Sequence, residues 1–179
     1  VARFGGAILI DMHSMPRDAL AHLPRPRPDL VLGDRNGSSA SPRITAGVAD
    51  AVMAEGFRLR RNSPFSGAYI AAAYGRPREN VHVVQLELDR SLYMDERRIR
   101  EHPDFEQFAG RFARVVARLA RLRPDLGAGL GKHGAAADEI AGGTLGGFQR
   151  LAGFGKRAGG VSLRLARRPV RARANTGTR

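Results

Sequence analysis

The sequence predicts an α/β domain built on a mostly parallel sheet, because segments typical of strands and helices alternate along the chain. Two runs of β-branched and aliphatic residues, beginning at Ile8 and Val81, are typical of buried parallel strands. The runs end in ionisable residues, Asp11-Met12-His13 in the first and Glu87-Leu88-Asp89 in the second. Because open α/β sheets bind ligands at the carboxyl edges of their strands, these ends predict a hydrolytic site that depends on a metal ion.

The first strand is expected at residues 6–11, and a proline-rich loop follows it because proline continues neither a helix nor a central strand. The short apolar run at residues 29–34 predicts the second strand. Ser41-Pro42 predicts a helix start, with serine as the cap and proline in the first turn. That helix should continue to about Glu55, where Gly56 stops it.

The following segments continue the alternation of strands and helices. Residues 57–60 alternate between apolar and basic side chains, as an edge or half-buried strand does. Residues 68–74 fit a short helix closed by Gly75, and the strand from Val81 comes next. A strongly amphipathic helix is expected between Asp104 and Pro124. Its buried face is marked by Phe105, Phe108, Phe112, Val115, Val116, Leu119 and Leu122.

The composition changes sharply near residue 126. Of the 22 glycines, 12 lie between Gly127 and Gly160, and basic residues dominate from there to the end. We therefore expect a folded domain over residues 1–126 and a disordered tail over residues 127–179. Of the net charge of +13, the domain carries +5 and the tail +8. The tail has only Phe148 and Phe154 to stack on bases, so nucleic acid is not the expected partner.

The composition also excludes several classes of protein. The chain has no cysteine, so disulfides, thiolate metal sites and cysteine nucleophiles are ruled out, and any metal must be held by His, Asp or Glu. No apolar run approaches the roughly 20 residues that a membrane span needs. A cytoplasmic location is compatible with this composition and is expected, without a membrane partner.

His13 is the leading candidate for a metal ligand. It follows the first strand, and Asp11 lies two residues before it, where its carboxylate could orient the second ring nitrogen. Asp11 could itself be a ligand. The competing interpretation is a histidine that only makes a hydrogen bond in a buried turn.

Glu87 is the leading candidate for a general base. It lies inside an apolar strand, where an unpaired carboxylate is costly and its pKa is often raised. The competing interpretation is a structural ion pair between Glu87 and Arg90 or Arg61.

Five sequence blocks together resemble the N-formylglutamate amidohydrolase family, in order and in spacing, over roughly residues 4–123. The blocks are Asp11-Met12-His13-Ser14-Met15-Pro16, Val31-Leu32-Gly33-Asp34-Arg35, Asn62-Ser63-Pro64-Phe65-Ser66-Gly67-Ala68-Tyr69-Ile70, Tyr74-Gly75-Arg76-Pro77, and the block from Gln85 to Glu96. Residues 1–126 are therefore identified as part of an amidohydrolase domain. The tail has no counterpart in the resemblance.

The resemblance implies a three-layer, phosphorylase/hydrolase-like α/β fold with a mostly parallel or mixed sheet, related to zinc carboxypeptidases. It implies zinc-dependent hydrolysis of an N-formyl or other N-acyl amino acid, in the namesake reaction N-formyl-L-glutamate, as a step of histidine breakdown. By motif match His13 is the zinc-binding histidine and Glu87 the general base. Four residues are candidates for binding the substrate: Arg35, Arg61, Arg90 and Asn62. The three arginines are suited to this role because guanidinium groups bind carboxylates in a bidentate manner.

The chain departs from the family pattern in two ways. The family's other metal ligands are expected upstream of the Asp-x-His-Ser strand, so the domain is expected to be incomplete at its N-terminus. Many members carry a histidine after the Gly-x-Tyr-Ile block, where this chain has Ala71-Ala72-Ala73. An acyl group other than formyl is therefore an alternative. Two further alternatives are a catalytically inactive, truncated fragment and a basic binding module that acts through residues 150–179.

Overall fold

The protein is described by a computed structural model for residues 5–124 and 161–164. Its larger elements are β1 (Ala7–Met15), β2 (Leu30–Gly33), α1 (Pro42–Met53), β3 (Leu59–Arg61), α2 (Tyr69–Tyr74), β4 (Val81–Asp89), β5 (Met94–Asp95), β6 (Arg100–Glu101), α3 (Phe105–Leu119) and β7 (Val161–Arg164). Short 3-10 helices cover Arg17–Leu20, Pro77–Glu79 and Arg90–Leu92.

The main sheet has five strands in the order β3-β2-β4-β1-β7. The α/β class is confirmed, but the sheet is mixed: β1–β4 and β2–β3 are parallel, whereas β2–β4 and β1–β7 are antiparallel. A helix between two strands returns the chain for parallel pairing, as α1 does between β2 and β3. Between β1 and β2 the loop holds only a 3-10 helix of four residues, and β2 runs opposite to its neighbour β4.

The main hydrophobic core lies between one face of the sheet and the helices α1 and α3. Every second residue of the central strands points into this core, including Ile10, Leu32 and Leu86. The amphipathic pattern after Asp104 correctly predicted α3, whose apolar stripe is buried against α1 and the sheet. Phe112 is fully buried there, with its ring centroid 5.7 Å from that of Phe108.

Local chemistry explains why α1 begins at Pro42. The Ser41 side chain accepts a hydrogen bond from the backbone N–H of Ile44, and Pro42 occupies the first turn, where no N–H partner is needed. The predicted start is therefore confirmed. A turn after Ala54 leads to Gly56, whose φ of +75° suits glycine.

The opposite face of the sheet is polar along its two central strands. It presents Asp11 and His13 from β1 and Gln85, Glu87 and Asp89 from β4, because alternate residues point to the same face. The predicted end of the first strand at Asp11 was wrong, since β1 continues to Met15 paired with β4. Asp11 and His13 therefore lie within a strand rather than beyond its carboxyl end. A smaller hydrophobic cluster borders this face, formed by Met15, Leu20, Leu23 and Val31.

Of the predicted tail, the structure describes residues 161–164, whose backbone pairs antiparallel with Leu9–Met12 of β1. The rest of that prediction lies outside the described residues, and the boundary near residue 126 stays a prediction. Among the described residues, no helix combines the length and apolar character of a membrane span.

Phe112→Ala should lower the free energy of unfolding by about 3–5 kcal/mol, because it removes a fully buried ring and leaves a cavity between α3 and the sheet. Urea denaturation followed by circular dichroism measures the loss. The control is Ile99→Ala, which truncates a side chain that is 69% exposed and should change stability by no more than about 0.5 kcal/mol. Equal effects of the two variants would contradict the described core.

Candidate active site

The parallel register of β1 and β4 builds the candidate site. His13 is paired with Glu87, and Asp11 is paired with Gln85 one step earlier. Neighbouring strands lie about 4.8 Å apart, so side chains paired on one face are in contact range. His13, Gln85 and Glu87 line a cavity of about 230 Å³, whose opposite wall is the loop of residues 64–68. The structure therefore brings together the three residues that the sequence singled out first, Asp11, His13 and Glu87.

His13 is held between two carboxylates. Its Nε2 lies 3.1 Å from Oδ2 of Asp11, and its Nδ1 lies 3.7 Å from Oε1 of Glu87. Asp11 is buried, whereas the His13 side chain is 29% exposed. A carboxylate this close to one ring nitrogen favours one orientation of the imidazole, and carboxylates placed beside metal-binding histidines act in this way. The geometry leaves Nδ1 directed toward Glu87.

Glu87 is a buried carboxylate whose ionisation is disfavoured. Burial raises its pKa above the ordinary glutamate value of 4.5, and the neighbouring Asp11 charge raises it further. His13, the hydrogen bond from Gln85 and Arg90 offset part of that increase without cancelling it. A carboxylate with a raised pKa is suited to accept and return a proton near neutral pH.

The two arginines of the alternative interpretation, a structural ion pair of Glu87 with Arg61 or Arg90, make hydrogen bonds to other groups. Arg61 Nη2 lies 3.0 Å from Oδ2 of Asp34, and Arg90 Nε donates to Oγ of Ser14 over 3.2 Å. Within the described residues, the ionic contact of Glu87 is with His13.

Gln85 is a site residue that the sequence analysis did not single out. Its Nε2 donates to Oε1 of Glu87 over 2.6 Å, and its Oε1 accepts from the backbone N–H of Ala68 over 2.6 Å. Gln85 therefore ties the general-base candidate to the loop that forms the far wall of the cavity. The signal was the period-two series of polar residues at 85, 87 and 89 inside an apolar strand.

Asp34, just after β2, holds the residues that lead into this loop, Arg61 and Asn62. Asn62 Nδ2 and the Gly37 N–H donate to its Oδ1 over 2.7 and 3.0 Å, and Thr45 Oγ1 and Arg61 Nη2 donate to its Oδ2 over 2.9 and 3.0 Å. Burial alone would raise the pKa of Asp34, but these four hydrogen bonds together hold it below its ordinary value of 3.8. Arg61 and Asn62, both predicted to bind substrate, thus bond directly to Asp34.

Arg35 and Arg90 take different positions around the site. Arg35 is exposed with a φ of 54°, and its backbone N–H donates to Ser66 O over 2.6 Å, beside the wall of the cavity. Gly67 has a φ of +113° at this contact, and a Cβ there would lie 3.2 Å from Cγ of Arg35. Arg90 follows β4 and is held by Ser14. Arg35 is therefore the better-placed cation for a ligand that enters the cavity.

The described residues do not by themselves complete a zinc site. No group of three His, Cys, Asp or Glu side chains within residues 5–124 is arranged to hold a metal ion. Among them, His13 has a carboxylate near each ring nitrogen, Asp11 at Nε2 and Glu87 at Nδ1. Further ligands would have to come from residues outside the described part.

The chain is an α/β protein with a histidine and two carboxylates on one face of its sheet, and comparison with known proteins specifies the family. The family model described as N-formylglutamate amidohydrolase matches residues 1–94, more than half of the chain. The chain belongs to the N-formylglutamate amidohydrolase family.

Individual relatives agree with this assignment. N-formylglutamate deformylases of Pseudomonas aeruginosa PAO1 and Pseudomonas putida are 43% and 41% identical over 97 residues, or 53% and 52% of this chain. The chain spans only 36% of the length of each of these relatives. The crystal structure of N-formylglutamate amidohydrolase from Ralstonia eutropha JMP134 superposes with a TM-score of 0.58 at 33% identity, covering 66% of this chain and 43% of that one. The predicted relation to zinc carboxypeptidases stays a prediction.

Asp34→Asn should lower the free energy of unfolding at neutral pH by about 1–3 kcal/mol, because buried donors lose their charged acceptor. Since the pKa of Asp34 is lowered on folding, its stabilisation is present above the unfolded value and is lost as pH falls through the folded value. The difference in free energy of unfolding between wild type and Asp34→Asn should therefore decrease below about pH 3.8. Urea denaturation at several pH values measures it, with exposed Asp50→Asn as control. A difference that does not depend on pH would contradict the assignment.

Proposed function

We propose that the protein to which this chain belongs hydrolyses the amide bond of N-formyl-L-glutamate, releasing formate and glutamate. The observation that carries the proposal is the register pairing of His13 with Glu87 at a cavity wall. The names of the relatives supply the substrate. Because the chain spans 36% of their length, the activity is proposed for the whole protein.

Glu87 is proposed as the general base that transfers the proton between water and the leaving amine. It removes a proton from a water molecule, whose oxygen forms the new bond to the formyl carbon. The C–N bond then breaks, and Glu87 returns the proton to the amine nitrogen. Burial, which raises the pKa of Glu87, makes its protonated form accessible for the second transfer. Gln85 positions the carboxylate through its hydrogen bond to Oε1.

His13 is proposed to contribute one ligand to a Zn²⁺ ion, with Asp11 fixing the orientation of the ring. The ion, when bound, would supply positive charge to polarise the amide oxygen. The support is the carboxylate behind the histidine, whereas the remaining ligands would lie outside the described residues. Zinc is therefore a proposal about the whole protein, and the proton transfers above depend on Glu87 itself.

Arg35 is proposed to bind a carboxylate of the substrate. Arg35 is exposed, and its Cγ lies beside Gly67 in the wall of the cavity, so its guanidinium is proposed to reach a substrate carboxylate in a bidentate contact. Arg90 and Arg61 each have a protein acceptor, Ser14 and Asp34 respectively. Arg61 and Asn62 are therefore proposed to shape the substrate site through the loop rather than to touch substrate first. A cytoplasmic location and a role in histidine breakdown are proposed with the activity.

The second candidate is a catalytically inactive fragment. It is favoured by one observation: the described residues hold no three-ligand metal group. The two candidates differ in formate release from N-formyl-L-glutamate by purified protein supplied with zinc. Release above the level of a Glu87→Gln variant supports the enzyme, and none supports the inactive fragment.

Glu87→Gln should reduce formate release by about 10²–10⁴-fold, because glutamine cannot accept the proton. The free energy of unfolding should stay equal or rise at neutral pH, since the variant removes a buried charge. A raised carboxyl pKa destabilises the fold above that pKa, and the penalty is relieved as pH falls. The stability gain of the variant should therefore decrease toward pH 4.5. The control is Glu106→Gln, a change of the same charge on the exposed face of α3. Unchanged turnover in Glu87→Gln would reject the assigned base.

The acid limb of the pH–activity profile should lie above pH 4.5, because Glu87 must be ionised to accept a proton and its pKa is raised by burial. In the whole protein, with zinc bound to the wild type, His13→Ala should lower bound zinc, measured by elemental analysis of the purified protein, whereas Glu87→Gln should retain it. His22→Ala, a substitution of an exposed histidine, is the control. Equal zinc contents of wild type and His13→Ala would show that His13 is not a ligand.

A further inference from the structure

A second cavity lies apart from the candidate active site and is lined by arginines. It has a volume of about 400 Å³, and its walls are Arg17, Arg25, Pro26, Arg27 and Arg58. None of these residues lines the cavity of His13 and Glu87. Four guanidinium groups around one cavity are unusual because they repel each other unless anions balance them.

Two of the four arginines are balanced by buried aspartates. Arg17 forms an ion pair with Asp89 at the end of β4. Arg58 donates from Nε and Nη2 to the two carboxylate oxygens of Asp29, over 3.1 and 2.5 Å. Both aspartates are buried, so these pairs hold the two guanidinium groups in place at the cavity.

The other two arginines have no carboxylate partner within the described residues. Arg27 donates from Nη2 to the backbone oxygen of Ala21 over 3.0 Å, and its Nε is buried without an acceptor. Arg25 makes no ion pair with a described acidic residue. A buried donor without an acceptor is costly, so the described contacts of Arg27 do not use its full hydrogen-bonding capacity. About two positive charges at the cavity therefore remain without a counter-charge.

The proline-rich loop restricts where these side chains can go. Pro24, Pro26 and Pro28 alternate with Arg25 and Arg27, and each proline ring fixes its own φ and narrows the conformations of the residue before it. The arginines are thus carried by a stiff segment, which reduces the entropy lost when they bind a ligand.

We infer that this cavity is a binding site for a compact dianion with oxygen ligands. The two unbalanced guanidinium groups match a charge of about −2, and their planar N–H groups suit carboxylate or phosphate oxygens in bidentate contacts. Phosphate groups and dicarboxylates share this chemistry. Binding of a dianion in this cavity does not depend on the proposed hydrolysis.

The test is isothermal titration calorimetry of the full chain with inorganic phosphate and, separately, with glutarate, at constant ionic strength in sodium chloride. Saturable binding of either anion is expected, and the anion that binds more tightly identifies the source of the charge. Arg25→Gln combined with Arg27→Gln should weaken binding by at least about tenfold, since both unbalanced cations are lost. The matched control is Arg78→Gln combined with Arg100→Gln, which removes the same charge from exposed positions outside the cavity.

Arg25→Gln alone serves as a second variant, because Arg25 has no described partner whose loss could disturb folding. It should retain the wild-type unfolding midpoint and still bind more weakly than wild type. Absence of saturable binding, or equal weakening in the control pair, would overturn the inference and assign the arginines to a solvated basic surface.

Discussion

The parallel pairing of β1 with β4 is the constraint on which the rest of the structure depends. The two strands pair over nine residues, from Ala7 with Val81 to Met15 with Asp89. Because side chains alternate between the faces of a sheet, a slip by one residue would move every apolar side chain out of the core and every polar one into it. The hydrophobic contacts with α1 and α3 therefore fix the same register that sets His13 opposite Glu87. The register that buries the apolar side chains on one face is therefore the same register that forms the candidate site on the other face.

The polar face is organised by two carboxylates with opposite behaviour. Asp34 accepts four hydrogen bonds and stays ionised despite its burial, which makes it an anchor for the cavity wall. Within the part of the chain that the structure describes, Glu87 accepts one side-chain hydrogen bond, from Gln85, and its pKa is raised by burial. The number of donors around each group, more than the depth of burial, decides which carboxylate is structural and which is available for proton transfer.

The sequence predicted the helices better than the extent of the strands. Ser41-Pro42 and the apolar stripe after Asp104 are local signals, so α1 and α3 were found near their observed bounds. The end of β1 was misplaced because His13 and Ser14 are polar, as loop residues often are, and the strand that pairs with them lies about 70 residues later. The bond between Arg61 and Asp34 spans 27 residues and has no local signature. His13 and Glu87 were predicted from their strands and from family resemblance, whereas Gln85 required the register.

Arg35 has a left-handed backbone conformation, which is easier for some residue types than for others. Glycine, asparagine and aspartate adopt a φ near 54° with little penalty, whereas an arginine there costs about 1–2 kcal/mol. Asn36 and Asn62, which also have positive φ around Asp34, are residue types suited to that conformation. Arg35 is not, and its guanidinium has no bond to a described protein group that would offset the strain. The backbone strain at Arg35 is therefore a local cost to stability at a position whose exposed side chain lies next to the wall of the cavity.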